Sequence, residues 1–202
     1  MKDKVAVLTS TRAEYGLLKN LCKLIESEKS FQLKIVVTGT HLEEEYGNTC
    51  DQIKKDGFKN LELINLSIKK NICTGEIASN LIKKISIFFD SFKPDYFIVL
   101  GDRYEALGAV YAAFLKKISI FHLHGGEQTI GSLDQGFRNA ISQLADFHFT
   151  SLEIHSKNLI NMGINKKRIV TTGPMILDEL NSHISYSKDE IEKILGFKFG
   201  TF

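Results

Sequence analysis

Between His122 and Ala140 the chain reads HLHGGEQTIGSLDQGFRNA. Two imidazoles, the carboxylates of Glu127 and Asp134, and the guanidinium of Arg138 crowd into one glycine-rich stretch between apolar runs. Carboxylates and imidazoles gathered at one rim can have their proton affinities pushed apart, so the stretch suits proton transfer. Gly125 and Gly126 would let the backbone turn sharply and approach a ligand closely. His122 and His124 stand two apart, so on a strand both would face one side and reach a single ion. A zinc site needs third and fourth ligands that this spacing does not supply, so proton transfer is the better reading and no metal is expected.

Three other segments carry candidate residues. STRAEYG (Ser10–Gly16) leads into a helix, and a helix start with Arg12 beside it favours an anion such as phosphate. Equally, Ser10 or Thr11 caps the helix and Arg12 is a surface residue; the loop alone leaves the two level. GTHLEEEYGNT places His41 just past a strand, with a glutamate run behind it that reads as a solvated turn. GDRYE places Asp102 and Arg103 together. An N-cap role explains Asp102 but not the adjacent arginine.

These segments need elements to hold them. KVAVLT (Lys4–Thr9), FQLKIVVT (Phe31–Thr38), LELINL (Leu61–Leu66), YFIVL (Tyr96–Leu100), ISIFHL (Ile118–Leu123), FHFT (Phe147–Thr150) and RIVTT (Arg168–Thr172) read as strands. Most are continuously apolar, as strands buried on both faces should be. Helices are expected over Leu17–Glu26, Thr49–Asp56, Thr74–Phe92, Tyr104–Leu115, Gly136–Leu144 and Leu152–Met162. Thr74 reads as an N-cap, and Lys93-Pro94 ends its helix because a residue before proline avoids the α region. Near the C-terminus a last helix has Ser187 as N-cap, Glu190 at its third position and Gly196 as its stop. Such regular alternation implies βαβ units and an α/β fold with a doubly wound, mostly parallel sheet. Ligands then bind outside the carboxyl ends of the strands, where all four segments fall.

Composition sets the outer bounds. The 202 residues, 43% of them apolar, can bury one sizeable core. A net charge of +2 with lysines scattered in pairs argues against nucleic-acid binding. Three cysteines fit no metal spacing and read as reduced thiols, two of them packed as small apolar side chains. No secretory or membrane-spanning run is present, which points to the cytoplasm. The absence of GxGxxG, GxxxxGK[ST] and GxSxG counts against dinucleotide oxidoreductases, P-loop kinases and α/β-hydrolases.

In order and spacing, TSTRAEYGLL, VVTGTHLEEEYGNT, GDRYEALGAVYAAF, HLHGGEQTIGSLDQGFRNAI and TGPMILDEL resemble the hydrolysing UDP-N-acetylglucosamine 2-epimerases that supply N-acetylmannosamine or related sugars for sialic-acid and capsule synthesis. The match runs from Lys4 to Leu180. The resemblance implies a GT-B-like protein of two Rossmann-like halves with the substrate between them. Residues 1–180 would be the N-terminal half, and 181–202 a linker and helix towards a C-terminal nucleotide-binding domain that the chain lacks. Phe199 and Phe202 would then want partners, and the exposed domain face would promote self-association.

The same resemblance implies the chemistry. A base removes the C2 proton of a UDP-sugar, UDP leaves C1, and water adds to the glycal-type intermediate with C2 inverted. Asp102, Glu127, Asp134 and His124 are the acid–base candidates. Arg12 and Arg103 would hold the diphosphate, Arg138 would bind substrate, and His41 would sit near the sugar. No cofactor is implied; the parent protein would be a homo-oligomer, and the chain alone inactive. Gln135, Asn139 and Gln143 depart from the ionisable residues usual in relatives, and Gly16 replaces a hydroxyl. The alternatives are half of a GT-B glycosyltransferase, or a single Rossmann-like domain that binds without catalysing.

Overall fold

A computed structural model describes residues 2–66, 73–182 and 186–199. Seven strands form one sheet: β1 (Asp3–Thr9), β2 (Phe31–Val37), β3 (Leu61–Leu63), β4 (Tyr96–Leu100), β5 (Ser119–Leu123), β6 (Phe147–Thr150) and β7 (Ile169–Thr171). Their order is β3-β2-β1-β4-β5-β6-β7, and every neighbouring pair is parallel. The chain winds outward from β1 to one edge, then returns to build the other half from β4. This is the doubly wound topology, and its switch point lies between β1 and β4.

Among the described residues, eight α-helices make the crossovers and the tail: α1 (Arg12–Ser27), α2 (Cys50–Lys55), α3 (Thr74–Phe92), α4 (Tyr104–Leu115), α5 (Asp134–Leu144), α6 (Glu153–Asn161), α7 (Ile176–Ser182) and α8 (Lys188–Leu195). Side chains alternate across each strand, so β1 feeds two cores. Val5 and Val7 pack with Leu18 and Cys22 of α1 and Ile53 of α2. Ala6 and Leu8 pack with Leu81, Ile85 and Phe89 of α3 and Ala109 and Ala113 of α4. Small residues on α4 let it lie close to both α3 and the sheet.

Sequence and structure differ at several ends. The first helix begins at Arg12 rather than Leu17, because Thr11 and Glu14 form a capping box. Cys73, not Thr74, occupies the N-cap position of α3, and no side chain caps it. Lys93 ends that helix in the left-handed region, φ 53°, which does avoid the α region before Pro94. Helix α7 was not foreseen. Cys22 and Cys50 are buried and Cys73 is exposed. Phe197 and Phe199 pack edge to face on each other, 4.8 Å apart; Phe202 lies outside the described residues.

Candidate active site

The segments that follow the carboxyl ends of β1, β4 and β5 surround a cavity of about 350 Å³. Among its lining residues are Glu14, Asp102, Arg103, His124, Glu127, Asp134 and Arg138. A separate hollow of about 460 Å³ on the α1 face, lined by Leu21, Ile98, Phe121 and Phe149, is apolar and lacks such a set of titratable groups.

Each side chain is brought there by a local feature. At the end of β5 the backbone of His124 takes a positive φ of 61°, uncommon for a residue with a side chain, and turns out of the strand. Gly126 follows at φ 77°, and a Cβ there would lie 2.2 Å from the carbonyl oxygen of His155. Only glycine fits this contact between the loop and α6. The Asn158 amide of α6 donates to the Gly126 carbonyl at 2.8 Å, so β6 and α6 clamp the loop that carries Glu127.

Arg138, on the second turn of α5, is the centre of the site. Its Nη1 donates to Glu127 Oε2 at 3.1 Å and to the His124 carbonyl at 3.0 Å. Its Nη2 donates to Asp102 and to Thr129 Oγ1. The side chain is 7% exposed. One planar fork thus sets two carboxylates from different loops side by side and offsets their charge. Arg138, expected from the sequence to bind substrate, lines the cavity with its two terminal nitrogens engaged on the carboxylates and their loop and its buried Nε without a protein partner.

Glu127 is held at both oxygens. Ser151, just after β6, donates to Oε1 at 2.6 Å. The His124 Nδ1 lies 3.3 Å from the same oxygen. Burial pushes the His124 imidazole below the ordinary histidine range, so it stays neutral at pH 7. Asp134, the first residue of α5, accepts from the Ser132 hydroxyl at 3.1 Å and lines the cavity from the far end of the same β5–α5 loop.

Asp102 is not a cap. Arg103 is the N-cap residue of α4, with no side chain capping, and Asp102 turns instead to Arg138. Arg103 donates to both oxygens of Glu105, at 2.8 and 3.1 Å, while its own side chain remains 36% exposed. Glu105 itself is fully buried. Sequence reasoning passed over Glu105 although it stands in the GDRYE motif; a buried anion beside an arginine is the pairing that fixes a guanidinium's plane.

The first loop resolves in favour of capping. Glu14 Oε2 accepts from the Ser10 amide at 2.6 Å, the Ser10 hydroxyl at 2.8 Å and the Thr11 amide at 3.3 Å. An internal carboxylate therefore occupies the start of α1, where an outside anion was one option. Burial raises the Glu14 carboxyl above its ordinary value, against the lowering pull of those hydrogen bonds and of Arg103. Arg12 is exposed and stands outside the cavity lining.

His41 is also corrected. It is fully buried between Thr9 Oγ1, 2.9 Å from Nε2, and Thr49 Oγ1, 2.6 Å from Nδ1, and it does not reach the cavity. Burial lowers its affinity for a proton to about 4. His122 diverges from His124 in the same way. Its Nε2 donates to the Gly101 carbonyl at 2.8 Å, its Nδ1 accepts from Ser142, and burial pushes it to about 3. The two histidines do not form a metal pair, and among the described residues no cluster of three metal-ligating side chains occurs.

The neutral residues on α5 have a structural reason. Gln135 accepts from the Thr129 amide at 2.6 Å and donates to Asn139 at 2.9 Å. The amide at position 135 thus links the β5–α5 loop to the next turn of α5 without adding a charge. Gln143 donates to the Met162 carbonyl at 2.9 Å, tying α5 to the end of α6.

A doubly wound sheet with a carboxylate-lined cavity at its topological switch point defines a Rossmann-like α/β domain. Residues 23–199 match the family model described as UDP-N-acetylglucosamine 2-epimerase. The chain belongs to that family. It is 35% identical over 98% of its length to a Campylobacter jejuni GDP/UDP-N,N'-diacetylbacillosamine 2-epimerase (hydrolyzing). It is equally identical, over the same share, to the UDP-N,N'-diacetylbacillosamine 2-epimerase of Legionella pneumophila. The Escherichia coli polysialic acid biosynthesis protein P7 is 30% identical over 94% of the chain. The chain spans about half the length of these curated relatives, 52, 52 and 49% respectively. Among solved structures, the Neisseria meningitidis UDP-GlcNAc 2-epimerase bound to UDP-GlcNAc superposes with a TM-score of 0.79 at 25% identity, over 96% of this chain and 50% of that one. The fold alone is shared with the galactosyltransferase WaaB, at a TM-score of 0.61 and 16% identity.

Proposed function

We propose that this chain supplies the acid–base wall of a hydrolysing 2-epimerase acting on a UDP-linked 2-acetamido sugar. The observation that carries the reading is the cavity itself: Asp102 from the β4–α4 loop and His124, Glu127 and Asp134 from the β5–α5 connection converge on one space, with Arg103 at its margin. A carboxylate takes the C2 proton of the sugar as the C1–O bond to UDP breaks, leaving a double bond between C1 and C2. Water then adds its hydroxyl to C1, and a proton is delivered to C2 from the other face. Acid and base must stand on two sides of the ring, and the cavity offers Asp134 at the start of α5 apart from the Asp102–Glu127 pair that Arg138 holds together. Arg103, held flat by Glu105, supplies charge to the departing diphosphate. UDP-N-acetylglucosamine and UDP-N,N'-diacetylbacillosamine, named for the relatives, are the substrates to try first.

In this reading residues 1–180 form the N-terminal half and 181–202 lead towards a nucleotide-binding half. The chemistry itself calls for neither a metal nor a cofactor, and the setting is a cytoplasmic homo-oligomer. Among the described residues no helix is long and apolar enough to cross a membrane.

The test uses the chain within a protein of its relatives' full length, in D2O, followed by proton NMR. Release of UDP with deuterium at C2 of the freed sugar supports the reading. UDP release only when an acceptor is added, with the C2 proton retained, would mean a glycosyltransferase. Intact substrate at high protein concentration leaves a binding domain.

A further inference from the structure

Glu127 differs from Asp102 and Asp134 in what stands behind it. Asp102 meets Arg138, a guanidinium that only donates, and Asp134 meets the Ser132 hydroxyl, with no imidazole bonded beyond either. Behind Glu127 runs a chain of exchangeable protons. Ser151 Oγ donates to Glu127 Oε1 at 2.6 Å, and the His155 Nδ1 lies 2.8 Å from the same Ser151 oxygen. A hydroxyl has one proton. With that proton given to Glu127, the bond from His155 must run from an Nδ1–H to the Ser151 oxygen.

Ser151 sits where serine ordinarily serves another purpose. It immediately precedes α6, whose N-cap is Leu152, and no side chain caps that helix. The hydroxyl is 5% exposed as part of its residue and turned to the carboxylate. His155, on the first turn of α6, keeps 18% of its side chain exposed, so the far end of the chain is open to water. The same turn presses its carbonyl against Gly126, next to Glu127, so loop and relay are held by one helix.

We propose that Ser151 and His155 form a proton relay that connects Glu127 with solvent, and that Glu127 is therefore the cavity carboxylate that exchanges its proton between half-reactions. This rests on the elimination–hydration reading above. To load Glu127, water delivers a proton to His155 Nε2, the Nδ1 proton passes to Ser151 Oγ, and the Ser151 proton passes to Glu127 Oε1. The carboxylate becomes a carboxylic acid and the imidazole returns to neutral with its proton on Nε2. The reverse sequence unloads it. The charged and titratable groups facing Glu127 during these steps are Arg138, His124 and His155, with Asp102 beside Arg138.

Two measurements test the relay. In this chain, nitrogen-15 NMR of the histidine rings at pH 7.5 is expected to find the His155 proton on Nδ1, and Ser151→Ala is expected to move it to the Nε2 form. A His155 proton on Nε2 in the unaltered chain overturns the relay whether or not any reaction is seen. In the full-length setting, Ser151→Ala and His155→Gln are expected to lower kcat about tenfold or more and to alter its pH profile, with KM within about twofold. Ser151→Thr is expected to restore both. Unchanged kcat and pH profile in His155→Gln, whose fold is checked by circular dichroism, also overturns it. If the unaltered enzyme releases no UDP, the reaction reading fails, and the NMR result alone decides the relay.

Discussion

Arg138 is the residue on which the site depends. It is nearly enclosed and pairs with Asp102 and Glu127, which lie 36 and 11 residues away in sequence. Replacing it by methionine keeps the length of the side chain but leaves two carboxylates facing each other without a cation. Removing one partner of a buried ion network is costly, and about 3 kcal/mol of stability is the expected loss here. Arg138→Met should therefore lower the urea midpoint clearly, whereas Arg12→Met at the exposed start of α1 should leave it within experimental scatter. Equal midpoints for the two variants would show that Arg138 does not hold the carboxylates.

At the scale of elements, the contact between the β5–α5 loop and α6 is expected to be intolerant of a single methyl group. Gly126→Ala places a Cβ 2.2 Å from a backbone oxygen, at φ 77°, so the loop or the helix must move. Gly131→Ala has a similar φ of 83° but open space around it. Backbone strain alone costs about 1 kcal/mol, so Gly131→Ala should lose roughly that and Gly126→Ala distinctly more, as read from thermal or urea unfolding.

Buried histidines on β5, on β6 and just past β2 carry a second expectation at this scale. Buried His41, His122 and His148 bind a proton near pH 6.5 when unfolded, but only at about 4, 3 and 4 in the fold, because burial disfavours their charged forms. Acid therefore protonates the unfolded chain first. Stability is full above about pH 6.5 and is lost as the pH falls towards 4, each histidine contributing a slope of up to about 1.4 kcal/mol per pH unit. Unfolding midpoints taken from pH 7.5 down to 4.5 should fall along this slope, and His41→Gln should make it shallower. A flat profile would mean that these imidazoles are protonated in the fold.

For the whole molecule, the chain spans about half the length of its curated relatives. The cavity is open, and water competes for each charge within it, which weakens electrostatic stabilisation of a departing diphosphate. The 202-residue chain by itself is expected to release no UDP from UDP-N-acetylglucosamine, while the same chain in the full-length setting does. Phosphate-free assays of UDP by chromatography would check this, and turnover by the isolated chain would show that its own residues suffice.

The sequence by itself determined the architecture and the neighbourhood of the site. Continuous apolar runs such as YFIVL and alternating helical stretches are local signals, so all seven strands and most helices were legible, whereas the strand order came from the tertiary structure. The glycine-rich stretch from His122 was legible for the same reason: its residue types are unusual wherever they fall. Roles within it were not. His122 and His124 read as a pair, yet one is sealed against Gly101 and Ser142 while a positive φ sends the other into the cavity. Arg138 read as a hand for substrate, with no sign of its hold on Asp102 and Glu127, and His41 as a neighbour of the sugar, with no sign of its burial between Thr9 and Thr49. Ser151, His155 and Glu105 carried no signal of their own, since a serine before a helix, a histidine on its first turn and a glutamate after an arginine are ordinary in sequence. What a side chain does depends on partners tens of residues distant, and only the packing of β4, β5, β6 and α6 around one rim decides which partners those are.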